Sequence, residues 1–340
     1  MQMLEDFWYI VVESTNFRLK PLGANVFGRS IVLFRDGSGN PVALDDRCLH
    51  RNAPLSEGHV CQGKIRCPYH GWVYDSNGNI SEIPAIGNDE HGERISASIT
   101  RYHCIEKQGY IWVCLSETPT NAEPLEFPYL DQPGWVSFRM KTRFNANVEA
   151  CLENFLDCPH AAYVHKGWFR SHVYKKVRAI VRTLEDGAEA EYFDEPREKS
   201  AVWSLLSPGK TTMKHVDRFI APATSRVDYE FSNGMTYTIT SSCTPIDPSQ
   251  TEVFTVISFR AKWFGQLIKL YFKPLAKKII RQDVQILNLQ SRNIARFGEP
   301  DFMVTDADLL HHHIRNWRKA IENGDNPPKA GIEKNVEIYL

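Results

Sequence analysis

Two short cysteine–histidine pairs constrain this chain more than any other feature: Cys48-Leu49-His50 and, after sixteen intervening residues (51–66), Cys67-Pro68-Tyr69-His70. Each half offers one thiolate and one imidazole, the donor types that bind transition metals. A centre that takes all four ligands must close two loops on one point, so the flanking segments should be hairpins whose tips meet. Two metal centres are compatible with that geometry. Zinc sites of the Cys2His2 type group cysteine with cysteine and histidine with histidine, whereas each half here is mixed. A [2Fe–2S] cluster with two cysteines on one iron and two histidines on the other needs this mixture. Pro68 and Gly71 suit a tight loop whose backbone N–H groups point at sulfur. The spacing therefore favours an iron–sulfur cluster on Cys48, His50, Cys67 and His70, with zinc as the alternative.

The segments around these pairs read as β. Phe7–Val12 and Ser30–Arg35 are runs of β-branched and aromatic residues, and Tyr110–Leu115 has the continuous apolar character of a buried strand. Asp36-Gly37, Asn40-Pro41 and Asp75–Asn79, the last following Trp72–Tyr74, mark turns. Many short strands predict a small all-β domain over 1–118. Pro119, Pro124, Pro128 and Pro133 then make 119–135 an extended connector. Beyond it, 136–340 predicts an α+β domain with an antiparallel sheet flanked by helices. A helix is expected over Asn147–Asp157, and strands at Val227–Phe231, Thr236–Thr240 and Glu252–Phe259. A long helix should cover Phe264–Ala295, kinked or restarted at Pro274, and a shorter one Asp306–Asn323.

Composition excludes several functions. The 340 residues carry a formal net charge of -1, with none of the basic excess of a general nucleic-acid binder. No apolar run approaches the ~18 residues that span a bilayer, and the acidic start lacks a secretory signal. A cytoplasmic location is the simplest expectation. Apart from Cys48 and Cys67, the eight cysteines are scattered and read as buried free thiols.

A second constellation lies in Asn154-Phe-Leu-Asp157-Cys-Pro-His160-Ala-Ala-Tyr-Val-His165. On a regular helix, residues five apart point about 140° away from each other, so His160 and His165 converge only if the helix is distorted after Asp157. Pro159 supplies a cause. Two histidines and one carboxylate form the facial triad of non-haem Fe(II) oxygenases. Asp283, in the apolar setting of Gln282-Asp283-Val-Gln-Ile-Leu287, is the candidate third ligand, since an unpaired acid there is costly.

Here a resemblance becomes specific. C-x-H-R with Arg51, C-P-Y-H-G-W through Trp72, N-x-x-D-x-x-H-x4-H over Asn154, Asp157, His160 and His165, and Q-D-x-x-I-L at 282–287 resemble the motifs of Rieske non-haem iron oxygenases. The likeness runs from Trp8 to about Trp317 and is greatest to the α-only oxygenases, such as dicamba monooxygenase and vanillate O-demethylase. The one departure noted is Cys158-Pro159, between Asp157 and His160. The resemblance implies a Rieske [2Fe–2S] cluster and a mononuclear Fe(II) on His160, His165 and Asp283. It implies a head-to-tail homotrimer, with Asp157 bridging His70 of one subunit to His160 of the next and Asn154 part of the same motif.

The resemblance also implies oxygenation of an aromatic or polycyclic small molecule by O2, as hydroxylation or O-/N-demethylation, with ring cis-dihydroxylation as the alternative. No nucleotide-binding glycine motif is present, so electrons from NAD(P)H should arrive through a separate flavin reductase, a ferredoxin, or both. Lys269, Lys273, Lys277, Lys278 and Arg281 read as a solvated helix face, with a ferredoxin dock as the sharper possibility. The apolar residues between them make a membrane-surface helix conceivable. Trp168, Phe169 and Trp203 are candidate pocket residues, and His311–His313 reads as a surface run. A Rieske electron carrier with a ligand-binding second domain is the rival reading.

Overall fold

In the computed structural model, which describes residues 2–86, 97–166, 168, 175–193, 212–260 and 265–340, the chain divides into two compact units, 2–126 and 127–340.

The first unit is all β. Its strands are β1 (Tyr9–Glu13), β2 (Leu22–Val26), β3 (Arg29–Arg35), β4 (Pro41–Asp45), β5 (His59–Cys61), β6 (Lys64–Arg66), β7 (Val73–Tyr74), β8 (Ile80–Glu82), β9 (Arg101–Lys107) and β10 (Tyr110–Cys114). They form a six-stranded antiparallel sheet in the order β1-β10-β9-β4-β3-β2 and a four-stranded sheet in the order β5-β6-β7-β8. All five residues of β10 are buried, as a fully covered strand requires. The turn signals act through their aspartates. Asp36 Oδ1 accepts from the amides of Ser38 and Asn40, and Asp75 Oδ1 from those of Asn77 and Asn79. These bonds substitute for ladder pairing and end the strands. Val32, Phe34, Leu44, Leu55, Ile65 and Tyr74 pack into one apolar core that also contains Cys48 and Cys67.

The second unit is α+β. Its strands are β11 (Val136–Phe144), β12 (Lys176–Leu184), β13 (Gly187–Phe193), β14 (Met213–Ile220), β15 (Thr224–Phe231), β16 (Thr236–Asp247), β17 (Gln250–Arg260) and β18 (Glu333–Tyr339). They build one eight-stranded antiparallel sheet in the order β11-β17-β16-β15-β14-β13-β12-β18. Alternate residues of β12 are buried, the period-two pattern of a sheet with one covered face. The helices are α1 (Val148–Leu156), α2 (Gly265–Phe297) and α3 (His311–Asn323). α1 lies against β14 to β17, and α2 against β11.

Three helix expectations change. α2 is one continuous helix through Pro274, which removes the restart from the two expectations of a kink or a restart there. The carbonyl that Pro274 deprives of a donor belongs to Leu270, whose side chain is largely exposed, so water can reach that face. The last helix starts at His311, not Asp306. Asp308 Oδ2 accepts instead from the amide and hydroxyl of Thr305, which makes that stretch a turn. The three histidines at 311–313 are not a simple surface run either. His312 is exposed, but the His311 ring is nearly covered, with its Nδ1 2.7 Å from Glu153 Oε1.

Candidate metal centres

Of the two loops that carry the candidate ligands, only the second is a hairpin tip, between the paired strands β6 and β7; the first connects β4 to β5, which lie in different sheets. Cys48 and His50 follow β4, and Cys67 to His70 span β6 and β7. Two backbone bonds tighten each loop: Cys48 N–H to Ala53 O and Asn52 N–H to Cys48 O, then Cys67 N–H to Trp72 O and Gly71 N–H to Cys67 O. Gly71 has φ +73°, a left-handed conformation that favours glycine. The sulfurs are buried, with Cys48 and Cys67 only 1% and 3% exposed. Burial pushes the Cys67 thiol up, against the amides of Tyr69 and His70 that point at its sulfur. The Tyr74 hydroxyl stands 3.2 Å from Cys48 Sγ and accepts from Leu49 N–H at 2.9 Å.

At the other side, the His50 and His70 rings lie 4.4 Å apart, and His50 stacks on Trp72 at 4.9 Å. His50 Nδ1 is buried and makes no hydrogen bond among the described residues. A buried nitrogen without a partner, next to a second imidazole and two buried thiols, fits a centre that binds all four. Trp72 and Tyr74 shape the site, and ligand spacing alone does not reveal either role.

The second centre depends on a break in the chain. Asn147 caps α1 through its side chain, which accepts from Ala150 N–H at 2.9 Å. The helix stops at Leu156, and Asp157 is extended with φ -96° and ψ 98°. A single turn of 3-10 helix follows at Pro159–Ala162. The distortion therefore begins at Asp157 itself, two residues before the proline. It brings His160 Nε2 within 3.3 Å of His165 Nε2. From α2, Asp283 Oδ1 stands 3.0 Å from His165 Nε2 and 3.6 Å from His160 Nε2. One donor atom from each of these residues lies within 4.8 Å of the others.

The other ring nitrogens explain why these three face inward. His160 Nδ1 donates to the Asp157 carbonyl, and His165 Nδ1 donates to Gln282 Oε1 at 3.0 Å. Both Nε2 atoms are left as lone-pair donors turned toward one point. Asp283 is 4% exposed, and its Oδ1 makes no hydrogen bond of acceptable geometry among the described residues. Burial would raise the Asp283 carboxyl, but the facing imidazoles hold it below the ordinary carboxylate value. Two imidazoles and an anionic oxygen with converging lone pairs fit a divalent transition metal. Gln282 is a supporting residue that sequence spacing did not single out.

Asp157 is mostly buried, and that burial pushes its carboxyl up to about 6. Asn154 Oδ1 is buried without a hydrogen bond among the described residues. Both line a cavity of about 140 Å³ that also reaches His160, His165 and Asp283. The remaining wall comes mainly from the sheet and α2 and is largely apolar, with Val227, Ile239, Ile257 and Phe272 among its residues. Trp168 is half-buried, carries Lys278 Nζ over its ring at 4.6 Å, and is not on that wall. Phe169 and Trp203 lie outside the described residues. No helix among the described residues is long and apolar enough to cross a membrane.

Both units of the chain have counterparts among known proteins. Residues 7–102 match the Rieske [2Fe-2S] domain, and residues 144–323 match the vanillate O-demethylase oxygenase C-terminal domain. The chain is 32% identical over 176 residues to methylxanthine N1-demethylase of Pseudomonas putida, covering 49% of this chain and 48% of that protein. Chlorophyllide a oxygenase of Arabidopsis thaliana is 30% identical over 349 residues, covering 95% of this chain and 59% of that protein. The chain thus spans about half the length of these curated relatives. The crystal structure of dicamba monooxygenase bound to 3,6-dichlorosalicylic acid superposes with a TM-score of 0.80 at 18% identity, covering 95% of this chain and 98% of that one. At that identity the likeness establishes the fold.

Proposed function

The chain belongs to the Rieske proteins that carry a vanillate O-demethylase oxygenase C-terminal domain, and from that premise we propose that it is the oxygenase component of a Rieske non-haem iron system. The observation that carries the reading is the convergence of His160, His165 and Asp283 on one point at the wall of an apolar cavity. A one-electron donor domain in each copy of the chain supplies such a site with a source of electrons.

The contacts support the following residue roles. Cys48, His50, Cys67 and His70 hold the [2Fe–2S] cluster, within residues 1–118, and the connector 119–135 leads to the iron domain at 136–340. His160, His165 and Asp283 hold mononuclear Fe(II), which when bound supplies open positions for O2. Gln282 and the Asp157 carbonyl fix the two imidazoles so that each presents Nε2. Asp157 and Asn154 form the polar part of the wall beside those ligands. The remainder, largely apolar, holds the substrate.

The substrate class is an aromatic or polycyclic small molecule, and the favoured outcome is monooxygenation, as hydroxylation or O-/N-demethylation. Electrons come from NAD(P)H through a separate flavin reductase, with or without a ferredoxin, and a cytoplasmic site of action goes with that supply. The working assembly is a homotrimer in which Asp157 links His70 of one subunit to His160 of another. Its carboxylate would fix the His70 ring by a hydrogen bond, while its backbone carbonyl, not its side chain, accepts from His160 Nδ1.

The test is single-turnover oxygenation by the chemically reduced, iron-loaded protein with 18O2 and a panel of methoxy- and N-methyl-aromatics. Product oxygen or formaldehyde oxygen derived from 18O2 supports the reading. Cluster reoxidation without oxygenated product across the panel favours the electron-carrier alternative.

A further inference from the structure

Within the same cavity wall, β14 turns two polar residues inward. His215 and Asp217 share the face of Phe219, and their exposures are 1% and 2%. Asp217 Oδ1 lies 2.9 Å from His215 Nε2, and its Oδ2 accepts from the Tyr192 hydroxyl at 3.0 Å. The His215 ring is stacked between Tyr192 and Tyr229, at 4.5 and 4.3 Å, within 16° and 19° of parallel. Its Nδ1 faces Cys158 Sγ at 3.9 Å.

Cys158, His215 and Asp217 lie close enough to suggest a second metal site. The ring geometry argues against it. The thiol faces Nδ1 and the carboxylate faces Nε2, on different edges of the imidazole, so one ion cannot meet all three through one nitrogen. The arrangement suits a protonated imidazole better. A buried carboxylate is costly without a positive partner, and two flanking phenol rings favour a cation between them. With Nε2–H given to Asp217, the imidazolium directs Nδ1–H toward Cys158, a weak acceptor that a better one can displace.

We propose that His215 anchors the substrate: its Nδ1–H holds an anionic oxygen, carboxylate or phenolate, of a small ring-bearing molecule. A cavity of about 140 Å³ is close to the size that accepts a single benzene ring. Asp217 and Tyr192 are positioning residues that keep the donor charged and aimed. His215 thereby sets specificity, while the metal ligands sit elsewhere on the same wall. This inference rests on the oxygenase reading, because it treats the cavity as the substrate site.

The probes are benzoate and its neutral analogue benzamide, titrated calorimetrically into the iron-loaded protein. The expected result is benzoate binding at least about tenfold more tightly, since both partners of its hydrogen bond are charged. In His215→Gln the new amide reaches the Nε2 position and still serves Asp217, but no donor remains at Nδ1. That variant should bind the two probes within about threefold of each other, through weaker benzoate binding at unchanged benzamide affinity.

Equal affinities in the native protein, no binding of either probe, or equal weakening of both in the variant would each overturn the anchor. If the variant fails to fold, a benzoate-soaked crystal of the native protein decides. A carboxylate within hydrogen-bond distance of Nδ1 supports the anchor, and any other pose overturns it. Iron content measured on the same samples keeps the two readings apart. Full mononuclear occupancy without benzoate preference rejects only the anchor, whereas an iron-free triad rejects the oxygenase itself.

Discussion

Replacing Gln282 with leucine removes the acceptor of a buried hydrogen bond while keeping a side chain of similar size. In the folded protein Gln282 Oε1 accepts from His165 Nδ1–H at 3.0 Å, and His165 is 4% exposed. Taking away such a partner costs about 1–3 kcal/mol when the donor stays buried. The bond also selects the tautomer that presents Nε2, so the loss falls mainly on metal binding. Outer partners of ligating histidines are typically worth about 10- to 100-fold in affinity, or about 1.4–2.7 kcal/mol, which agrees with the hydrogen-bond figure. Fe(II) affinity measured by chelator competition should therefore fall by that factor in Gln282→Leu. The cluster absorbance should be unchanged, since Cys48 and Cys67 belong to the other unit. Unaltered Fe(II) affinity would refute the tautomer argument, and parallel loss of the cluster would show a general folding defect instead.

Other perturbations probe separate parts of the account. Asp157→Asn should keep both metals, by iron analysis, while turnover with the reductase falls about 100-fold or more; near-native turnover would rule out the bridging role. Tyr74→Phe removes a hydroxyl 3.2 Å from Cys48 Sγ, and hydrogen bonds to sulfur raise cluster potentials. A redox titration followed by EPR should show the potential lowered by about 40 mV for a bond of about 1 kcal/mol, and an unchanged or raised value would contradict it. Gly71→Ala places a Cβ at φ +73°, 3.2 Å from Pro84 Cγ. Thermal bleaching of the cluster should report a loss of about 1–2 kcal/mol.

The candidate metal ligands were legible because the chemistry of such sites restricts both residue type and spacing. Cys48, His50, Cys67 and His70 stand in pairs that few other roles require. For His160 and His165 the spacing was informative by being wrong for a regular helix. Pro159 signalled the distortion, but only the backbone shows that the break starts at Asp157. Gln282 was not legible, because a glutamine beside an aspartate on a helix looks like an exposed face until the partner across the fold is known. His215 and Asp217 left a faint trace, as polar residues at the inward positions of an alternating strand. Reading it required the register of β14, which pairing with β13 and β15 fixes. The start of α3 was misplaced because Asp306 and Asp308 look like a helix N-terminus, whereas the Asp308 side chain closes a turn with Thr305.

The central claim is that one chain holds both a Rieske cluster and a mononuclear iron. Iron and acid-labile sulfide analysis of the anaerobically purified protein, paired with EPR of the dithionite-reduced sample, tests it most directly. The account predicts about three irons and two sulfides per chain, with the signal of a reduced Rieske centre. Two irons with that signal, and no further Fe(II) taken up on reconstitution, would contradict the oxygenase. A colourless zinc protein would contradict the cluster as well.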